Sequence, residues 1–264
     1  MALTVSCSRS LEIAAVVALA VIVLVPQGSW VNQPLEAPFV SPRWTHPFGS
    51  DDLGRDMLAM VLQGLRTSLL VGLGTVSLAL ALGVAVGTIA GLASEIVDDL
   101  LMRLADIVQS LPTLLLAILV AAMFGGSVTL LILVLGLTRW PLVARLVRVE
   151  TRALRSREFV LAAVALGAST TMIVSRHILP HVATIARAAT AILFGGALVS
   201  EAALAFVGLG DPSATSLGQL AARGFQFVTH APWMWFAPVS AICGLAFGVA
   251  LISERLGTAM RVQA

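Results

Sequence analysis

Six long apolar runs divide this chain of 264 residues and restrict its fold more than any other feature. A helix needs about 20 mostly apolar residues to cross the hydrocarbon core of a bilayer. Lipid offers the backbone no hydrogen-bond partners, so we expect each run to be helical. The prediction is an all-α membrane protein with six transmembrane helices, at residues 11–28, 67–93, 105–124, 128–146, 183–208 and 233–253.

The amino-acid composition excludes a soluble domain. Hydrophobic residues make up 58% of the chain and charged residues 11%, with a mean hydropathy of +0.98, whereas about 25% of a soluble domain is charged. The charges lie between apolar runs and form no water-facing basic stripe, so no nucleic-acid partner is expected. Cys7 and Cys243 are poorly placed for a disulfide, and no redox function follows.

The arginines set the expected orientation. All 16 basic residues are arginine, and 8 of them lie from Arg139 to Arg187. With both termini inside, 12 arginines face the cytoplasm and 4 face outward, as the positive-inside rule favours. The expected segments are a cytoplasmic N-terminus at 1–10, a first span at 11–28 and an extracytoplasmic loop with an interfacial helix at 29–66. A transmembrane core follows at 67–254, with a cytoplasmic loop at 147–182, and a cytoplasmic C-terminus at 255–264.

Two features of the apolar runs leave alternatives open. The first run is short enough for a signal-peptide core, but no small-x-small cleavage site follows it, which favours an uncleaved helix. The second run has a small residue at every fourth position, on which another helix of this chain or of a second subunit can pack closely. This stripe consists of Thr75, Ala79, Gly83, Gly87 and Gly91.

No phosphate-binding loop, H-E-x-x-H or G-x-S-x-G motif is present, so we expect no catalytic residue in this chain. The arginine-rich loop instead predicts two short helices. The residues from Glu150 to Gly167 are mostly strong helix formers, and Gly167 can end that helix. Ala168 to Leu179 form a second helix that stops before Pro180. Such a pair offers a docking surface outside the bilayer.

Within this loop, Leu161-Ala-Ala-Val-Ala-Leu-Gly167 followed by Ile178-Leu-Pro180 resembles the "EAA" loop of binding-protein-dependent ABC importer permeases. In that family the loop forms a coupling helix that seats in a cleft of the ATPase subunit. Leu161 and His177 depart from the general pattern, but both are familiar in the peptide and nickel branch. The loop residues implied by this resemblance are Glu158, Ala162, Ala163, Gly167, Ala168, Ser169, Arg176, His177 and Pro180.

Two further motifs resemble the C-type subunits of dipeptide, oligopeptide and nickel importers. The first runs from His46 to Asp56 and is followed by Arg66-Thr-Ser68, and the second runs from Glu201 to Gly210, with Ala231-Pro-Trp233 beyond it. With the coupling loop, these matches cover residues 46–261 in order. The first motif supplies the expected extracytoplasmic site residues Gly49, Asp51, Asp52, Gly54, Arg55 and Asp56.

The resemblance implies the type I ABC importer permease fold in a bacterial plasma (inner) membrane. It further implies a homologous B-type permease, two ATPase subunits that bind ATP and Mg²⁺, and an extracytoplasmic binding protein as partners. No cofactor is expected in this chain itself. Di- or oligopeptides fit as cargo, and nickel chelates, glutathione or haem are the alternatives.

The extracytoplasmic motif also has a direct physical interpretation. Gly49 and Gly54 permit tight turns, and Ser50 or Asp51 can cap the interfacial helix that leads to Arg66. A divalent-metal site is the less favoured alternative, because Asp at the start of a helix is usually a cap. Its ligands would be His46, Asp51, Asp52 and Asp56.

Polar residues inside the spans are candidates for a translocation pathway. Glu201 is an acidic residue well inside a span, where it either faces a pore or forms a structural hydrogen bond. Gln109 and Ser110 share a helical face with Asp106 before a kink at Pro112. For Asp106 alone, an ion pair with Arg103 is the favoured interpretation.

Two further possibilities are disfavoured. A metal site at His177 and His181 is improbable, because Pro180 interrupts the helix between them. A secondary transporter would typically have ionisable pairs near the midplane of the bilayer, a pattern that only Glu201 approaches.

Overall fold

A computed structural model describes residues 37–261 of the chain, with side chains to Ser253. Within that range the chain is helical, and two isolated bridges are the only β contacts. The helices are α1 (Met57–Leu92), α2 (Glu95–Ser110), α3 (Thr113–Phe124), α4 (Val128–Arg155), α5 (Glu158–Ala165), α6 (Thr170–Ile173), α7 (Leu179–Phe206), α8 (Leu217–Gln226) and α9 (Trp233–Arg261). The predicted first span, at 11–28, lies outside the described residues.

Four of the described helical segments are long and apolar enough to cross a membrane, namely α1, α4, α6–α7 and α9. A fifth span results if α2 and α3 are one broken span, bent by 70°. The bend lies at Leu111, whose extended backbone (φ −80°, ψ 124°) is the conformation that a following proline imposes. The sequence thus located the five later apolar runs and the kink at Pro112.

The start of α1 differs from the prediction. Asp56, rather than Ser50 or Asp51, caps the helix, and its Oδ1 accepts the Leu58 N–H at 2.7 Å. The predicted interfacial helix is also not separate, because α1 continues without a break for 36 residues. At 1.5 Å per residue it is about 54 Å long, which exceeds the roughly 30 Å of the hydrocarbon core.

The helix before Pro180 does not stop there, which corrects a second prediction. A π-helical turn, Val174–Ile178, joins α6 to α7, so that helical backbone is continuous from Thr170 to Phe206. A proline ring clashes with the carbonyl group four residues earlier in a regular α-helix. Here that carbonyl belongs to Arg176 in the wider π turn, where the Leu179 N–H reaches the carbonyl of Val174.

The described chain divides into two compact units. Unit 1 contains residues 37–71, 121–128 and 198–252, and unit 2 contains residues 72–120, 129–197 and 253–261. In unit 2, α1 and α4 approach along the small-residue stripe. A β-carbon at Gly83 would overlap Val143, and one at Gly91 would overlap Thr151. The stripe therefore packs against a helix of the same chain.

Unit 1 is organised around a hydrophobic cluster contributed by α1, α8, α9 and the turn before α9. Its buried members are Met57, Met60, Val61, Leu217, Leu220, Ala231, Met234 and Ala237. Helix α8, which we did not predict, places its apolar face in this cluster. A capping box begins it: the Ser216 side chain accepts the Gln219 N–H at 3.2 Å, and the Gln219 side chain accepts the Ser216 N–H at 3.4 Å.

The packing of α1 on α4 predicts the effect of replacing one of its glycines by alanine. We expect Gly87→Ala to destabilise the protein by about 1–3 kcal/mol, the usual cost of overpacking, because the added methyl group would meet the Ala144 carbonyl oxygen and Val147. The measurement is thermal unfolding of the detergent-solubilised chain. Gly244→Ala in α9 is the matched control, since a β-carbon there meets nothing within 4 Å. Equal melting temperatures for the two variants would contradict the packing.

Candidate functional site

Residues 156–178, which connect α4 to α7, form an exposed segment that we call the connector. Helix α5 begins after Arg157, whose backbone is extended, and ends in a Schellman motif. In this motif the Gly167 N–H donates to Val164 and the Ala168 N–H to Ala163, at 2.9 and 3.0 Å. Gly167 has φ +82°, the left-handed conformation that glycine adopts without strain. The predicted helix end at Gly167 is confirmed, but its predicted start at Glu150 is wrong, because α4 continues to Arg155 and α5 begins at Glu158.

The second half of the connector starts at its own cap. The Ser169 side chain accepts the Met172 N–H at 3.3 Å, which begins α6. His177 lies in the π turn, and its carbonyl oxygen is 2.8 Å from Nδ1 of His181. The ring of Phe159 from α5 stacks on His181 at 5.8 Å. Contacts between aromatic rings therefore join α5 to the start of α7.

Helix α5 presents an apolar surface outward. Val160 is its only buried residue, whereas Leu161 is 55% exposed, Val164 is 54% exposed and the adjoining Leu166 is 89% exposed. Exposed arginines lie before and after this surface in the chain, at Arg155, Arg157 and Arg176. Apolar groups grouped within a polar, charged surround are typical of protein-binding surfaces.

An ionic cluster fixes the end of α4 that leads into the connector. Asp98 of α2 is 1% exposed and accepts hydrogen bonds from Arg148 and Arg152 of α4. Nearer the middle of α4, Arg145 pairs with Asp106 at 2.5 Å. The predicted ion pair between Asp106 and Arg103 is therefore wrong. The cluster around Asp98 was missed, although arginines spaced i, i+4 and an aspartate in an apolar chain are a readable signal.

Other polar residues of unit 2 have different surroundings. Gln109 and Ser110 are exposed at the end of α2, where the Ser110 hydroxyl donates to the Ile107 carbonyl at 2.8 Å. Arg139 lies within the apolar run of α4, and its Nη2 donates to the carbonyl of Gly196 in α7 at 2.9 Å. We counted Arg139 with the arginine-rich loop and missed this bond between two helices.

In unit 1, the acidic residues of the motif at 46–56 hold its turns together. Asp51 is buried, accepts the N–H groups of Leu53 and Arg55, and pairs with the Arg55 guanidinium at 2.6 Å. Asp56 lies 2.8 Å from Nδ1 of His46 and also caps α1. Gly49 and Gly54 have φ +67° and +76°, as the turns require. These carboxylates are engaged in local structure, and residues 37–261 contain no cluster of three or more potential metal ligands.

Glu201 lies at the junction of three helices in unit 1. Its side chain is 5% exposed and accepts hydrogen bonds from the hydroxyl groups of Ser216 and Ser68, the latter at 3.3 Å. Ser68 also accepts the Leu217 N–H at 3.3 Å. Glu201 of α7 thus ties α1 to the start of α8, a geometry that favours the structural hydrogen bond over a pore-facing carboxylate.

The loop between α7 and α8 is stabilised by Asp211. Its Oδ2 accepts the Val128 N–H at 3.1 Å, and its Oδ1 accepts the N–H and hydroxyl of Ser213 at 2.8 and 2.6 Å. Burial raises the pKa of Asp211, but the hydrogen bonds from Ser213 and from the Val128 backbone outweigh it and lower the pKa below its usual value. Asp211 is therefore ionised at neutral pH.

The fold and these surfaces describe a multi-pass helical membrane protein with an exposed connector and no catalytic constellation among its described residues. The chain belongs to the family of binding-protein-dependent transport system inner membrane components, whose model matches residues 83–262. Most of the described helices and the whole connector lie within this match.

Two relatives agree with this assignment, and one solved structure shares the fold. The chain is 34% identical to the oligopeptide transport system permease protein OppC of Bacillus subtilis, over 83% of this chain and 72% of that protein. It is 36% identical to the dipeptide transport system permease protein DppC of Alkalihalophilus pseudofirmus, with the same coverage of both chains. The inward-facing MetNI methionine ABC transporter shares the fold, with a TM-score of 0.63 at 18% identity over 77% of this chain and 97% of that one.

The hydrogen bonds of Asp211 predict a pH-dependent contribution to stability. A folded-state pKa below the unfolded value stabilises the fold above the unfolded pKa, about 3.9, and this contribution disappears as the pH falls through the folded pKa. We expect Asp211→Ala to cost about 1 kcal/mol at pH 7. The difference from the wild type should shrink below about pH 4. Thermal unfolding from pH 3 to 7 measures it, and a difference that grows on acidification would contradict the assignment.

Proposed function

We propose that this chain is the C-type permease subunit of an ABC importer for di- or oligopeptides and couples ATP hydrolysis by partner subunits to alternating access of a transport pathway. The relatives named above are peptide permeases, which supports this cargo. Nickel chelates, glutathione and haem are the alternative cargoes of the same machinery.

The observation that supports coupling most directly is the outward apolar surface of α5. A helix of 8 residues with one buried side chain gains little from packing on its own chain. Its exposed leucines and valine instead suit insertion into a cleft of a soluble subunit. The surrounding arginines suit an acidic rim on that subunit.

The proposed mechanism uses the attachment of α5 to the helices on either side. ATP binding closes the two ATPase subunits, α5 moves with them, and the motion passes to the end of α4 and the start of α7. The cluster of Asp98, Arg148 and Arg152 makes α2 move with α4. This motion turns the transport pathway outward, and ATP hydrolysis then returns it to the inward-facing state. Because nucleotide binds the two states with different affinity, this subunit needs no catalytic group of its own.

The proposed assembly contains a homologous B-type permease, two ATPase subunits and an extracytoplasmic binding protein. ATP and Mg²⁺ bind to the ATPases and not to this chain. The assembly lies in the bacterial plasma membrane, with the connector and both termini of this chain in the cytoplasm. Gln109 and Ser110, exposed beside the bend before Pro112, are proposed pathway residues.

A secondary transporter is the remote alternative, and the surroundings of Glu201 disfavour it. A proton- or ion-coupling carboxylate needs access to a pathway. Glu201 is buried, and both of its oxygen atoms accept hydrogen bonds from serine hydroxyl groups. We propose that it positions α8 within unit 1.

A charge on the exposed surface of α5 tests the docking proposal. We expect Leu166→Asp to reduce recovery of ATPase subunits at least about tenfold when the tagged chain is purified from native membranes, because a buried unpaired carboxylate costs more than 1.4 kcal/mol. The readout is quantitative mass spectrometry together with ATPase activity. Ile96→Asp in α2 is the matched control, since Ile96 is 82% exposed and lies outside the connector. Equal recovery with both variants would refute docking through α5.

The turn after α5 provides a separate test of coupling. Gly167→Val places a β-branched residue at φ +82°, which costs at least about 1–2 kcal/mol of local strain. We expect it to impair peptide uptake while membrane insertion is preserved. Gly167→Asn is the control, because asparagine tolerates this conformation and no atom obstructs a side chain there. Normal peptide uptake by the valine variant would contradict the proposal that this turn transmits motion.

A further inference from the structure

A cavity of about 850 Å³ lies within unit 1, in the size range of small-molecule sites. Helix α8 forms one wall, the loop after α7 forms another, and the first turns of α1 complete it. Besides Ser213, whose hydroxyl donates to Asp211, the polar lining residues are Arg55, Gln63, Thr215, Gln219, Arg223 and Gln226. None of the functions proposed above uses this cavity.

The polar wall follows from the amphipathic pattern of α8. Leu217, Leu220 and Ala221 are buried, and the first two belong to the hydrophobic cluster of unit 1. Side chains at i, i+4 and i+7 share one face of a helix. Gln219, Arg223 and Gln226 have this spacing, so packing of the apolar face directs all three toward the cavity.

The lining contains two arginines and no carboxylate. The Arg55 guanidinium is already paired with Asp51 at 2.6 Å. Asp211, next to the lining, is occupied by Val128 and Ser213. Arg223 is exposed, and no carboxylate pairs with it in the part of the chain that the structure describes. The cavity therefore offers an anion one guanidinium that is not neutralised.

Two other lining residues can contact the rest of a ligand that carries the anionic group. Gln63 also lines the cavity, and its side-chain amide has an oxygen atom that can accept an N–H from a ligand. Phe206 is 50% exposed and supplies an apolar wall. A ligand with a carboxylate, an N–H donor and a small apolar part fits these three groups.

We propose that this cavity binds the carboxyl terminus of a short peptide, with Arg223 pairing with the terminal carboxylate and Gln63 accepting a peptide N–H. The choice of a peptide rests on the proposed transport function, whereas recognition of the carboxylate rests on the lining residues alone. The guanidinium is suited to this role, because its fork of donors matches both oxygen atoms of a carboxylate.

The test compares trialanine with a free carboxyl terminus and trialanine amide as ligands of the full chain in phosphatidylcholine nanodiscs. Saturation-transfer NMR titrations give both dissociation constants. We expect the free acid to bind about tenfold more tightly than the amide, since a hydrogen bond to a charged group contributes at least this factor. Arg223→Gln should abolish the preference, and Arg223→Lys should retain part of it. Arg103→Gln, at an exposed arginine outside the cavity, should leave it unchanged.

Equal affinity for the acid and the amide, or binding of neither, would overturn the proposal. An undiminished preference in Arg223→Gln would also overturn it. Because these titrations need no ATPase, their outcome is independent of the docking test on α5. Recovery of ATPase subunits without a carboxylate preference would leave the importer assignment standing and remove only this site.

Discussion

The absence of water inside a bilayer is the constraint on which the rest of this structure depends. A backbone that crosses lipid must pair its own N–H and C=O groups, so a helix can be interrupted only where a particular residue solves the pairing problem. Helices end at Gly125 and Gly208 with positive φ, as α5 does at Gly167 outside the predicted spans, and Leu111 interrupts a helix with an extended backbone before Pro112. These breaks delimit α3, separate the two halves of the connector and begin the loop that leads to α8. The segments with proposed roles therefore lie where the helical pattern is interrupted.

The cluster around Asp98 has the largest mechanical consequence in unit 2. Burying a carboxylate costs several kcal/mol unless charges and hydrogen bonds compensate it, and here two arginines do so. Both arginines lie on the last turns of α4, and Arg157, which precedes α5, is only two residues beyond the end of that helix. The hydrogen bonds of Asp98 therefore hold the end of α4, from which the chain continues into α5, against α2. A force applied to α5 would act on two helices together, which the proposed coupling requires.

The sequence predicted those features that depend on local composition. Long apolar runs predicted the later spans, and Gly167 predicted the end of α5, because both signals are local in the sequence. The errors involve tertiary context. Asp106 pairs with Arg145, 39 residues away, instead of the nearby Arg103, and Pro180 is accommodated by a π turn that no local pattern indicated. Helix α8 has a readable capping box, but its short length and the Gly- and Pro-containing segment before it concealed the helix.

Two buried carboxylates, Asp98 of unit 2 and Glu201 of unit 1, are satisfied in different ways. Asp98 is neutralised by two cations, so its loss would leave like charges together at the end of α4. Glu201 is surrounded by the hydroxyl groups of Ser68 and Ser216, which are neutral and can rotate to new acceptors. An arrangement of hydroxyl groups resists motion less than a charge-paired cluster does. The charge-paired cluster of unit 2 thus suits the transmission of force, whereas the hydroxyl groups around Glu201 hold α8 in place without a counter-charge.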